Sequence, residues 1–98
     1  MNEKREAEIL ETAIEKYGAE AQIGVAQEEC AELIAALSKW RRAEGSTEAL
    51  AEKVREGIAD VFIMLMQLEM MFGETSAQEE EKLLRLAKRI GLDDEQST

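Results

Sequence analysis

Three carboxylates set the terms on which this chain can do chemistry. Glu29 and Glu32 stand three residues apart in Gln27-Glu28-Glu29-Cys30-Ala31-Glu32, and Asp60 closes Arg55-Glu56-Gly57-Ile58-Ala59-Asp60. Residues at spacing three share one face of a helix. The two segments flank one break, Glu44-Gly45-Ser46, with Glu29 sixteen residues before Gly45 and Asp60 fifteen after it. In an antiparallel pair of helices, each rising about 1.5 Å per residue, residues equidistant from the turn meet at one height. Asp60 is therefore expected across from Glu29 and Glu32. Carboxylates gathered on facing helices repel one another unless a cation lies between them, and a hard divalent metal would serve. Asp60 is set between Gly57-Ile58-Ala59 and Val61-Phe62-Ile63, so it is expected to be buried and in need of a partner. A plain salt bridge from Lys53 or Lys39 is the alternative to a metal. A Glu-Glu-x-x-Glu run alone is ordinarily a solvated helix face; here Glu29 and Glu32 lie beside the apolar stripe of their helix.

The elements that must position these groups read as helices throughout. The chain has no proline, is rich in Ala, Leu, Glu, Lys and Met, and shows no strand-like alternation. A first helix is expected from about Glu3 to Tyr17, with Ile9, Leu10, Ala13, Ile14 and Tyr17 inward and Gly18 just past its end. A second, Ala19 to Ala43, carries the stripe Ile23, Ala26, Cys30, Leu33, Leu37 and Trp40, and ends in Lys39, Arg41 and Arg42, where the helix dipole favours cations. Gly45 and Ser46 then supply a turn and a cap. A third helix, Thr47 to Phe72, carries Leu50, Val54, Ile58, Val61, Leu65, Leu68 and Phe72. Within it Val61 to Met66 is apolar on every side, which predicts burial all round. One chain this small offers too few neighbours, so the segment predicts an interface between copies, to which Met64, Met66, Met70 and Met71 are suited. Cover by the fourth helix of the same chain is the alternative. That helix, about Ala77 to Ile90, would be capped by Thr75-x-x-Gln78 or Ser76-x-x-Glu79, present Leu83, Leu84, Ala87 and Ile90 inward, and stop at Gly91. Residues 93–98 read as a loose tail on a single domain spanning 1–98.

Bulk properties narrow the partners. Twenty-two acidic against twelve basic residues give a net charge of −10. That balance argues against nucleic acid or an anionic membrane as partner. No apolar run approaches the roughly 20 residues of a membrane span. One cysteine and no signal-peptide pattern lead to the expectation of a cytoplasmic protein. Cys30 reads as a small core residue, because without any histidine nothing would activate it as a nucleophile. The same lack rules out a di-iron bundle of the Glu-x-x-His type.

The stretches EECAELIAALSKW and REGIADVFIMLMQLEMMFG resemble the MazG-like all-α nucleoside triphosphate pyrophosphohydrolases, in particular the small bacterial and phage type. The likeness runs from about Gly18 to Ile90, KLLRLAKRI included. The family pattern is EExxE, a spacer and ExxD. The resemblance implies Mg²⁺-dependent hydrolysis of a nucleoside or deoxynucleoside triphosphate to monophosphate and pyrophosphate, with Mn²⁺ as the alternative to Mg²⁺, in a homodimer or homotetramer. Glu29 and Glu32 match the Glu-x-x-Glu ligands and Asp60 the last aspartate. The glutamate of ExxD falls on Gly57, a departure. Glu56 is the adjacent carboxylate, about 100° away around the helix, and it is the candidate substitute ligand.

On that reading Mg²⁺ would neutralise developing charge and acidify an attacking water. With no histidine, a carboxylate must be the general base, and Glu28 or Glu29 is placed to serve. Lys39, Arg42 and Lys53 could hold phosphates, or be ordinary surface cations. Gln22 and Tyr17 could contact a base or sugar, though a tyrosine in this position reads more readily as core, and Trp40 as packing. The expectation is thus an all-α chain of four helices, whose central antiparallel pair forms the core of an oligomeric bundle and carries a pyrophosphohydrolase site. The alternative is a catalytically weak or silent homologue serving as a nucleotide-binding or helical interaction module, with Gly57 the point that separates the two.

Overall fold

The computed structural model describes residues 1–43 and 47–92 and, among them, contains four helices and no strand. They are α1 (Glu3–Tyr17), α2 (Ala19–Arg42), α3 (Glu48–Phe72) and α4 (Ser76–Arg89). The turn expected at Glu44-Gly45-Ser46 and the tail expected at 93–98 lie outside the described residues. Local chemistry accounts for the helix ends. Asn2 caps α1 by accepting a hydrogen bond from the Arg5 amide at 2.8 Å, and Thr47 caps α3 through the Leu50 amide. Gly18 and Gly73 close α1 and α3 with φ of 94° and 106°, values that L side chains rarely adopt, while their amides bond back to Ile14 and Glu69.

The central pair is α2 against α3, and α1 leans on both. The seam is rotated from the stripe that hydropathy suggests. On α3 the seam runs through Leu50, Val54, Gly57, Val61, Met64, Leu68 and Met71, none of them exposed, in alternating steps of four and three, with buried Gln67 beside it. Ile58, Leu65 and Phe72, expected inward, are exposed. On α2 the seam is Gln22, Ala26, Glu29, Leu33 and Ala36, whereas Cys30, Leu37 and Trp40 are exposed. Tyr17 is also exposed, not core. Both seams keep the 3.5-residue repeat of helices packed at a shallow angle. Where Val61 to Met66 is apolar on all sides, hydropathy cannot choose a face, and the small residues Ala26, Ala36 and Gly57 decide it by letting the backbones approach.

Two contacts fix the register. Leu33 packs on Gly57, and Gln22 Nε2 donates a 2.8 Å hydrogen bond to Gln67 Oε1 between two buried side chains. Leu33 and Gly57 are each twelve residues from Gly45, as equal heights in a hairpin require. Helix α4 stands apart. Among the described residues its backbone comes within 8 Å of none of the other three helices, so it does not cover the apolar segment of α3.

Candidate carboxylate cleft between the central helices

The site is built where α2 and α3 run side by side below their connection. Glu29 lies on the α2 seam, half-buried, and its carboxylate is held above the usual carboxylate range. Desolvation is the largest cause, followed by the negative charges of Glu32 and Asp60 and by hydrogen bonding to the same two groups. Glu29, Glu32 and Asp60 thus lie together, as their distances from Gly45 in the sequence predict. Asp60 itself is exposed in the single chain, not buried as expected, and its partners are acids instead of Lys53 or Lys39.

A cleft of about 590 Å³ opens beside this cluster, lined by Glu32, Ala35, Ala36 and Lys39 of α2 and by Ala49, Leu50, Lys53, Glu56, Gly57 and Asp60 of α3. Its charges are graded along its length. Glu32 and Lys39 are seven residues apart on α2, as are Asp60 and Lys53 on α3, so cations lie about 10 Å turnward of carboxylates on both helices. Lys53 reaches Glu56 at 3.7 Å in an exposed pair that would yield readily to a stronger ligand. Arg55 is not available to Asp60, since Glu48 and Glu52 hold its guanidinium on the outer face.

The remaining candidates divide. Gln22 is buried with its amide committed to Gln67, Glu28 and Arg42 are exposed, and neither they nor Glu29 line the cleft, which Glu29 joins only through Glu32 and Asp60. Gly57 gains a physical account that spacing alone could not supply. A Cβ there would sit 3.1 Å from Leu33 Cδ1 and 3.5 Å from its Cα, so glycine lets α3 lie close on α2 at the level of Glu32. The Gln22–Gln67 clamp was likewise missed, because a glutamine in a helix carries no signal of its partner.

Among the described residues, no three Asp, Glu or Cys side chains are arranged as a ready metal shell. The donors present are hard carboxylate oxygens. Mg²⁺ commonly takes only one or two protein carboxylates and completes its shell with waters and substrate phosphates. The residues thus suit an ion shared with a ligand better than one caged by the protein. No family model matches the chain, and no curated protein or solved structure is significantly similar to it.

Proposed function

We propose that the protein is a Mg²⁺-dependent nucleoside or deoxynucleoside triphosphate pyrophosphohydrolase that acts as a homodimer or homotetramer. The observation that carries this reading is the gathering of Glu29, Glu32 and Asp60, the last two of which line a cleft whose other end bears Lys39 and Lys53. The EExxE and REGIAD motifs, with their likeness to the MazG-like enzymes, supply the reaction class. Glu29, Glu32 and Asp60 would hold the ion and Glu56 would supplement them. A bound Mg²⁺ would offset their mutual repulsion, polarise phosphate oxygens and acidify a water.

The chain's own groups have separable tasks on this reading. Lys39 and Lys53 draw the outer phosphates along the cleft. Glu29, whose proton affinity is raised by desolvation and by the charges of Glu32 and Asp60, accepts the proton of the attacking water when it is not itself a ligand. The small lining residues Ala35, Ala36 and Ala49 leave room for the polyphosphate.

The test is pyrophosphate release from the standard NTPs and dNTPs, with Mg²⁺ and with EDTA. Release that requires the metal and disappears in Glu32→Ala supports the enzyme. No release from any of them, with folded protein and saturating Mg²⁺, rejects it for those substrates. Retained Mg²⁺-dependent nucleotide binding in that case would identify the alternative, a silent nucleotide-binding homologue.

A further inference from the structure

Helix α4 is amphipathic, yet among the described residues no other helix packs along it. Leu83, Leu86 and Ile90 fall on one side at spacings of three and four, with Leu84 flanking them, and all four are exposed. Its direction is set at the junction. The Thr75 hydroxyl lies 2.6 Å from carboxylate oxygens of both Glu69 and Glu79, and Glu74 accepts from the Ser76 amide at 2.8 Å. These bonds take the place of the expected capping box, and α4 departs from α3 without folding back along it.

A matching face stands open on α3. Ile58, Phe62, Leu65 and Phe72 share the side away from α2, with Phe62 61% and Phe72 75% exposed. Beside them a groove of about 570 Å³, lined by Phe62, Leu65, Met66, Leu68 and Phe72, runs to Thr75 and Glu79 at the root of α4. The chain as a whole is too open for a lone monomer. Its accessible surface is 7906 Å², against about 5,600 Å² for a compact protein of 11.0 kDa. Its radius of gyration is 17.2 Å, against about 13 Å for a compact domain of this length. The excess surface is larger than the roughly 800 Å² that each partner buries in a standard interface.

Charge narrows the occupant to another copy. Residues 82–90 hold four cations and no acid, in a chain whose net charge is −10. The basic end of α4, where Arg85 has only an exposed 3.6 Å pair with Glu81 of its own helix, therefore suits the surface of a second acidic chain, whose α3 presents Glu69 in the wall of the apolar groove.

We propose that two copies of this chain exchange α4, so that Leu83, Leu86 and Ile90 of each seat on Ile58, Phe62, Leu65 and Phe72 of the other about a twofold axis. Such an isologous exchange needs only one self-complementary surface and closes on itself. It rests on the oligomeric part of the reading above and is independent of the chemistry, which pyrophosphate release tests separately.

The experiment is disulfide trapping in a Cys30→Ser background, with sedimentation measured alongside. The parent chain is expected to be a dimer. Chains carrying Phe62→Cys, mixed with chains carrying Leu83→Cys and oxidised, are expected to give a covalent dimer containing one of each. Leu83→Glu is expected to weaken association roughly a hundredfold or more, because it would bury a carboxylate among apolar side chains. Since among the described residues no Cα of α4 comes within 8 Å of another helix, α1 to α3 should keep their helical signal in that variant. A monomeric parent would overturn the exchange. So would a dimer indifferent to Leu83→Glu, or a Phe62→Cys/Leu83→Cys double variant that cross-links only within one chain.

Discussion

Glu29 is the residue on which the electrostatics of the cleft turn. Its proton affinity is raised, so the folded state binds that proton more tightly than the unfolded chain does. The sign follows: this group supports the fold at acid pH, and its support is lost as pH rises from the ordinary glutamate range through the raised folded value. Glu29→Gln removes the repulsion and should modestly raise the melting temperature of metal-free protein at neutral pH, with the gain vanishing in acid. Mg²⁺ should stabilise the parent and leave Glu29→Gln unmoved, which a pair of thermal scans would read. A variant less stable than the parent at neutral pH would mean that the acids are not in net repulsion. Gly57 makes a second case. Gly57→Ala gains about 1 kcal/mol of helix propensity and gives up a similar amount in moving Leu33, so it should be nearly neutral. Gly57→Glu should overpack the α2 crossing and cost about 1–3 kcal/mol in urea unfolding. A missing ligand would show instead as higher pyrophosphate release in that variant, measured where it remains folded. The three acids were legible from their distances to Gly45. The glycine was not, because its reason is the Leu33 side chain across the seam.

At the scale of elements, the four helices could be read almost to the residue, since Gly18, Gly73 and Gly91 mark where three of them stop; the caps at Asn2 and Thr47 were not foreseen, the latter role having been expected of Ser46. Which face of each helix points inward was legible only in part. Ile58, Leu65 and Phe72 are as apolar as Val61, Met64 and Leu68, and the choice between those stripes depends on how closely two backbones can approach. Gln22 and Gln67 show what such a seam needs besides small residues. Their hydrogen bond joins the two helices at one end of the central pair, near the start of α2 and the end of α3, and no buried side-chain polar atom lacks a partner among the described residues. Gln22→Ala should strand Gln67 and cost about 1–3 kcal/mol, whereas Gln22→Leu with Gln67→Leu should be nearly neutral. Urea titration of the two singles and the double closes the cycle. This also separates the two roles offered for Gln22. A register clamp changes stability and spares the KM for substrate, while a base or sugar contact raises the KM at unchanged stability.

For the whole molecule, the large exposed faces of α3 and α4 make folding and association one equilibrium. Only Leu10, Ala26 and Met64 among the apolar side chains are buried within the described single chain, which is little for 98 residues. If two copies share α4, the folded state holds two chains and the unfolded state one, so mass action ties stability to concentration. Each tenfold rise in protein concentration then adds about 1.4 kcal/mol per dimer and should raise the melting temperature by about 3–6 °C. Leu83→Glu should abolish that slope and melt at the lower, concentration-independent temperature of the α1–α3 unit. The carboxylate cleft faces the seam of a single chain, so this variant should retain the Mg²⁺ response of Glu29 even while it loses its partner. A melting temperature unchanged across a hundredfold range of concentration would mean that the apolar face of α3 does not hold the fold together through a second copy. Loss of the metal response together with the slope would mean that the cleft is completed by that copy.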